Sequence, residues 1–330
     1  MSTHSLLHIQ HLSTYFDTDE GTVKAVDDIS LHVRPGEIVC IVGESGCGKS
    51  ITALSVMGLI EAPTGRIADG LIDFDGQNLL SLSKNHLRSI RGNDIAMIFQ
   101  EPMSSLNPVI TIGEQMSEPL IIHKKMNKKQ AQKRVLELIT QVGISRPEQI
   151  AKSYPHELSG GMLQRIMIAI AISCDPKLLI ADEPTTALDV TIQAQILDML
   201  REFRSQSDMS ILLITHDLGV VAEMADYVVV MYSGKIVEEG EVVELFANPR
   251  HPYTQGLLRS KPIINQRQKE LYSIPGYVPN PLELQESCYF HERCEHCMDI
   301  CRTQEPPLRD VENGQKTACW LYEKEAAAHV

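Results

Sequence analysis

The sequence lacks several features that would place it in whole classes of protein. No apolar run approaches the ~20 residues needed to span a bilayer as a helix. There is no basic excess: 30 Lys and Arg against 43 Asp and Glu leave a net charge of −13, which argues against a nucleic-acid binder that works by broad phosphate neutralisation. The first residues, Met1-Ser2-Thr3-His4-Ser5, lack the basic-then-apolar order of a secretion signal. These absences predict a cytoplasmic protein whose membrane contact, if any, comes through partners. What is present is ordinary for a soluble globular chain: 330 residues, 43% hydrophobic and 22% charged, enough for one large domain plus an appendage.

The eight cysteines are spread unevenly. Cys40, Cys47 and Cys174 are scattered and read as small buried or loop residues. Cys288, Cys294, Cys297, Cys301 and Cys319 crowd the last fifth of the chain. In a reducing compartment such crowding favours metal over disulfide.

The most informative stretch is Gly43-Glu44-Ser45-Gly46-Cys47-Gly48-Lys49-Ser50. It follows the apolar run Ile38–Val42 and leads into a helix-compatible segment from Ser50 and Ile51 onward. Strand, glycine-rich loop, helix is the context in which G-x-x-x-x-G-K-[ST] binds phosphate. The glycines let backbone amides curl inward as an anion nest, and the helix points its positive end at the same spot. Lys49 supplies a mobile charge for the β- and γ-phosphates, and the Ser50 hydroxyl is placed to ligate Mg²⁺. A glycine turn followed by a chance Gly-Lys-Ser is the bland alternative.

Around this loop the chain reads as alternating strands and helices. Residues 7–35 alternate as antiparallel strands, with Tyr15 and Phe16 where the first run ends; either ring could stack on adenine or belong to the core. Residues 70–76 form another strand closing in an Asp-Gly turn, and Ile95–Phe99 a short buried strand ending at Gln100. From about 103 to 170 the pattern is helical, with the basic run 123–134 read as a solvated face. Leu158-Ser159-Gly160-Gly161-Met162 then precedes an apolar helix and makes a second helix-end anion site. Two such sites imply two ligands, or one ligand gripped between two copies. Leu178–Ala181 is an apolar strand ending in Asp182, a Mg²⁺ partner, and Glu183, a general base for water. His216, at the end of the strand 211–214, could donate to a γ-phosphate. Residues 227–238 read as a hairpin, and 241–260 as helical around Pro249-Arg250-His251-Pro252.

With these pieces in order, the chain resembles the nucleotide-binding subunit of an ABC transporter over about residues 7–248. The matching motifs are the Walker A loop 43–50, the Q-loop at Gln100, the signature 158–162, Walker B through Asp182 with Glu183 beyond it, the D-loop 187–189 and the switch-type His216. Within that superfamily it looks like the dipeptide and oligopeptide importer ATPases, on Phe99–Pro108, Ala181–Ala194, His251-Pro252-Tyr253-Thr254 and the Cys-rich tail. Leu163 departs from the commoner Gln after the signature.

The resemblance implies an α/β P-loop NTPase with a RecA-like core, an antiparallel β subdomain and a helical signature subdomain (about 103–170). A small Cys-rich C-terminal extension follows. The implied domains are a nucleotide-binding domain over 1–250 and an extension over 251–330. It implies ATP contacts at Phe16 (preferred over Tyr15), Gly43, Ser45, Gly46, Cys47, Gly48, Lys49, Ser50, Ile51, Gln100 and Asp182. Ser159, Gly160 and Gly161 would come from a facing subunit in a head-to-tail ATP sandwich. Mg²⁺ would sit on Ser50, Gln100 and Asp182, with Glu183, His216 and Gln100 catalytic. The implied partners are a second, non-identical ATPase subunit, two permease subunits docking beside Gln100 and the 103–125 region, and an extracytoplasmic peptide-binding protein. That places the chain peripherally on the cytoplasmic face of the cell membrane. Nickel or opine-like cargo is the alternative within the family.

Two rivals fit less well. A non-transport ABC ATPase of the repair type needs a long coiled coil between 43 and 158, and one of the translation type needs two cassettes. A P-loop kinase has no use for Leu-Ser-Gly-Gly with a strand-end His. In the tail, Cys288, Cys294, Cys301 and Cys319 match the importer pattern Cys-x₅-Cys-x₆-Cys…Cys with an Arg directly before its second cysteine, and Cys297 is extra. Four thiolates suit a [4Fe–4S] cluster, the preferred reading, or zinc, for which Cys294-Glu295-His296-Cys297 is a common spacing. Free thiols in a loose tail are the bland alternative. Prolines 275, 279 and 281 and weak apolar periodicity predict a tail that can hardly bury a core and gains from a metal staple.

Overall fold

The structure, a computed structural model, describes residues 5–186, 188–260 and 272–323. They form two compact units, each assembled from separate stretches of chain: one holds Val33–Glu37, Ser81–Ile214 and the N-terminal residues up to Leu6, the other Leu7–His32, Ile38–Leu80 and the chain from Thr215.

The second unit begins with β1 (Leu7–Thr18) and β2 (Gly21–Val33), neighbours in one sheet. β3 (Ile38–Val42) is fully buried, leads through the glycine-rich loop to α1 (Lys49–Val56), and is followed by β4 (Gly65–Phe74) and the short β5 (Gln77–Asn78). β1 sits between β2 and β4 in a four-stranded sheet, with β4 running antiparallel to it. Leu7, Ile9 and Leu12 of β1 and Ile72 of β4 are fully buried, as alternation predicts for a sheet with one covered face.

The first unit carries α2 (Lys84–Ile90), β6 (Ile95–Ile98), α3 (Pro102–Ser105), α4 (Ile112–Ile122), α5 (Lys128–Gln141), α6 (Pro147–Ile150), α7 (Gly160–Ile172), β7 (Leu178–Asp182), α8 (Val190–Ser207) and β8 (Ser210–Thr215). β6, β7 and β8 pair in parallel in that order. They read as unbroken apolar runs because strands of a parallel sheet are covered on both faces. The basic run falls mostly on α5, which starts in a reciprocal capping box between Asn127 and Gln130. That helix buries Ala131, Val135, Leu138 and Ile139 and leaves Lys128, Lys129 and Lys133 exposed.

The chain then returns to the second unit with α9 (Leu218–Met224), the hairpin β9 (Tyr227–Tyr232) and β10 (Lys235–Glu241), α10 (Val242–Ala247), α11 (Pro252–Arg259), and the two-residue strands β11 (Arg309–Asp310) and β12 (Lys316–Thr317). β3 pairs in parallel with β9, β9 antiparallel with β10, and β12 antiparallel with both β10 and β11. The sheet is therefore mixed. The helical stretch expected over 241–260 is two helices: Asn248 leaves helical geometry, and Pro252 takes the first position of α11, where its missing N–H costs nothing.

The tail packs a few side chains against the rest of its unit. It buries Phe290, Cys301, Val311 and Ala318. Phe290 packs edge-on to Tyr232 of β9 at 5.3 Å and tilted on Tyr253 of α11 at 5.5 Å. The extension thus shares the apolar surface of the hairpin and α11 rather than building a core of its own.

Candidate nucleotide site

The glycine-rich loop has the backbone that its sequence demands. Gly43, Gly46 and Gly48 lie at φ 155°, 81° and 102°, where L side chains are strained. At Gly43 a Cβ would also stand 2.2 Å from the Met231 carbonyl, so only glycine fits. Gly48 closes the loop, and α1 starts at Lys49. Lys49 is 5% exposed, and its Nζ donates to the Gly43 and Glu44 carbonyls at 2.9 and 3.0 Å. The same Nζ lies 3.7 Å from the Cys47 sulfur, so the ammonium is held by groups of its own loop. Ser45 and Gly46 are exposed at the rim, Cys47 is buried with its thiol pushed up by burial, and Ser50 and Ile51 form the first turn of α1.

Beside this loop, a cavity of about 340 Å³ is lined by Val42, Gly43, His216, Asp217 and Leu218, with Leu257 and Ser260. His216 is thus brought to the phosphate loop. Asp217 caps α9 by accepting the Gly219 N–H at 2.7 Å. On β1, the Tyr15 hydroxyl donates to Asp27 at 2.7 Å, and Lys24 and Arg66 lie over its ring at 5.7 and 5.6 Å. Burial, then this bond, raises the Tyr15 phenol above its ordinary value. Phe16 carries no such polar tie; its ring edge lies over Gly65, where a Cβ would stand 2.8 Å away.

In the other unit, Asp182 ends β7 and is 5% exposed. Glu183 follows in the left-handed region at φ 46°, an uncommon conformation for a non-glycine residue. Gln100 Nε2 and Thr186 Oγ1 donate to the same Glu183 oxygen at 3.0 and 2.8 Å. Thr186 escaped sequence reading; its only signal was its place three residues past Glu183. Ser159 caps α7, accepting from the Met162 N–H, and Gln164 Nε2 donates to the Pro184 carbonyl at 2.6 Å. At Gly160 a Cβ would meet nothing within 4 Å, so nothing inside this chain requires a glycine there. Of the D-loop, Ala187 lies outside the described residues, and Asp189 caps α8.

In the tail, Cys288, Cys294, Cys301 and Cys319 line one small cavity with His291 and His296, and none is in a disulfide. The Cys288 N–H donates to the Cys301 carbonyl at 2.9 Å, which ties two of them together. Burial first, then the neighbouring cysteines, push the Cys288 thiol up to about 12 and Cys319 up to about 11. Among the described residues, no three His, Cys, Asp or Glu side chains converge as ligands of one metal ion.

The phosphate loop, the signature helix end and the strand-end acids are the parts of an ATP-binding cassette, and the comparisons with known proteins agree. The ABC transporter family profile matches residues 26–186, and the oligopeptide/dipeptide transporter C-terminal region matches 237–301. The oligopeptide transport ATP-binding protein AppD of Bacillus subtilis is 54% identical over 327 residues, covering 99% of both chains. The dipeptide transport ATP-binding protein DppD of Escherichia coli is 48% identical over 315 residues, covering 96% of both. Among solved structures, the ATP-binding cassette MJ0796, dimeric and bound to ADP and Pi in a post-hydrolysis state, superposes with a TM-score of 0.65 at 27% identity, over 72% of this chain and 98% of that one. The chain belongs to the ATP-binding subunits of oligopeptide and dipeptide ABC transporters.

Proposed function

We propose that this chain is the subunit that binds and hydrolyses ATP to power import of dipeptides or oligopeptides through a membrane ABC transporter. The carrying observation is Lys49, buried at the head of α1 and held by its own loop through the Gly43 and Glu44 carbonyls and the Cys47 sulfur. The domain reading that accompanies it is an ATPase over 1–250 and an importer extension over 251–330.

In this reading Gly43 and the loop from Ser45 to Ile51 cradle the phosphates and Phe16 stacks on the adenine. Glu183 takes the proton of the attacking water, Gln100 orients that water, and His216 donates to the γ-phosphate. Mg²⁺ neutralises phosphate charge when bound; Ser50, Gln100 and Asp182 offer the oxygen donors that a hard cation takes. The open space at Gly160 supports a second subunit bringing nucleotide against Ser159, Gly160 and Gly161, with the partner ATPase non-identical. Met103 and Val109, 57% and 78% exposed beyond Gln100, fit a permease contact. With a permease pair and an extracytoplasmic binding protein, the chain works peripherally at the cytoplasmic face; among the described residues no helix is long and apolar enough to cross a membrane. For the tail the reading is a [4Fe–4S] cluster on Cys288, Cys294, Cys301 and Cys319, serving structure, with zinc the alternative; its support is that the four line one cavity.

The test is the assembled transporter in vesicles. Lys49→Ala should weaken ATP binding and stop hydrolysis and peptide uptake together. Unchanged ATP binding would remove the phosphate-loop role, and hydrolysis with no peptide-dependent uptake would remove the cargo.

A further inference from the structure

The phosphate loop is gripped from outside the ATPase motifs, and the grip comes from the cysteine-lined extension. Glu44, the second residue of the loop, is held at three points. Its carbonyl accepts from Lys49 Nζ at 3.0 Å, and its N–H donates to the Tyr253 hydroxyl at 2.8 Å. Its carboxylate accepts a two-pronged contact from Arg293, with Nη1 on Oε2 at 2.7 Å and Nη2 on Oε1 at 3.1 Å. Parallel bonds from one guanidinium fix orientation as well as distance.

Arg293 is itself built in. Its side chain is 4% exposed, its Nε donates to the Pro275 carbonyl at 3.0 Å, and its guanidinium lies over Tyr232 and Phe290 at 5.7 and 5.8 Å. It directly precedes Cys294, so one short turn aims the thiol at the cysteine cavity and the guanidinium at the loop. Tyr253 is placed by the same neighbourhood. Glu238, buried in β10, accepts the N–H groups of Arg250 and His251 at 2.6 and 2.9 Å, which sets the start of α11.

We propose that Arg293 is a positioning residue for ATP binding: the cysteine-lined extension holds it against Glu44, and through Glu44 it fixes the phosphate loop. The inference rests on the ATP-site reading. A nest of backbone amides binds an anion well only when it is ordered before the anion arrives. Glu44 also places a carboxylate beside an anion site, where its charge repels phosphate unless a cation covers it. Arg293 meets both needs. Its bonds go to the loop's own carboxylate, so its loss should appear in KM for ATP and not in kcat.

The experiment uses the full-length chain in its transporter complex, with KM and kcat for ATP, nucleotide affinity and the thermal midpoint measured on each variant. Arg293→Gln should raise KM roughly ten-fold, the scale of a modest misplacement of binding groups, with kcat within a factor of two. Arg293→Lys should recover part of the loss. Arg293→Gln with Glu44→Gln should recover the part of the loss that the uncovered carboxylate causes, and not the part owed to the unfixed loop. If Arg293→Gln does not accumulate, Glu44→Asp carries the test: it keeps the charge, shortens the reach to Arg293, and should raise KM at constant kcat. A wild-type KM in Arg293→Gln or Glu44→Asp would overturn the proposal. So would a fall of KM-normalised rate that simply tracks the thermal midpoint and is not relieved by the double substitution. Failure of wild-type chain to bind ATP would instead strike the ATP-site reading itself.

Discussion

Gln100 Nε2 and Thr186 Oγ1 meet on one oxygen of Glu183, at 3.0 and 2.8 Å. Two donors on a single oxygen fix the direction of the carboxylate. The left-handed backbone at Glu183 turns it out of the line of β7, while Asp182 stays buried at the strand end. Adjacent acids thus take separate positions from backbone geometry alone.

Glu183→Gln should lower hydrolysis in the assembled complex by at least about 10²-fold, the contribution of a lost general base. Nucleotide affinity should persist, because Lys49 and the loop amides are untouched. Single-turnover hydrolysis and equilibrium nucleotide binding, measured on the same preparation, separate the two. Wild-type turnover in this variant would take Glu183 out of the role.

The two aromatics near the end of β1 divide by their ties. Tyr15 is engaged by Asp27, Lys24 and Arg66, whereas Phe16 has no polar partner to lose. Phe16→Ala should therefore weaken ATP affinity by roughly five- to a hundred-fold, the range that stacking on a base supplies. Tyr15→Ala should act mainly on stability. Titration with ATP reads both, and loss of affinity in Tyr15→Ala with none in Phe16→Ala would reverse the assignment.

His251 gives a pH dependence with a definite sign. It is 1% exposed, accepts the Tyr253 N–H at Nδ1, and burial drives its pKa down to about 3. Above the ordinary value near 6.5 both folded and unfolded chains hold it neutral. Below that, the unfolded chain takes up a proton that the folded one refuses, so stability is lost as pH falls from about 6.5 towards 3. The slope is about 1.4 kcal/mol per pH unit for one proton. His251→Asn keeps a good helix cap and should flatten the acid limb of a denaturation series by about that slope. An unchanged slope would mean that His251 is not the group responsible.

Much of the site is legible in the sequence because its parts are local. The run Ile38–Val42, three glycines with positive φ and the helix from Lys49 lie within twenty residues, and each is written in residue types that serve one conformation. The same holds for Ser159 capping α7 and Asp189 capping α8. What escapes is non-local. Glu44 and Arg293 are 249 positions apart, and an arginine beside a cysteine carries no signal of which carboxylate it will find. The tail's order is equally hidden, because β11 and β12 are two residues long and show no period. Its burial of Phe290 depends on Tyr232, Tyr253 and His251, which belong to elements read for other reasons.

The tail's chemistry can be settled by metal content. Four thiols share one cavity, and burial and their neighbours hold Cys288 and Cys319 well above the ordinary thiol range. A bound metal centre reverses that balance, because its positive charge stabilises the thiolates that proximity otherwise disfavours. Anaerobic purification should therefore yield a brown protein with iron and acid-labile sulfide in equal amounts, close to four of each per chain for a [4Fe–4S] cluster. Cys301→Ser, at the most buried of the four, should lose most of the iron and lower the thermal midpoint. Cys297→Ser should leave both unchanged, since Cys297 does not line the cavity. A colourless protein with stoichiometric zinc would replace the cluster with zinc. Four readily alkylated thiols and no metal would remove both, leaving Phe290 and its aromatic neighbours to hold the extension in place.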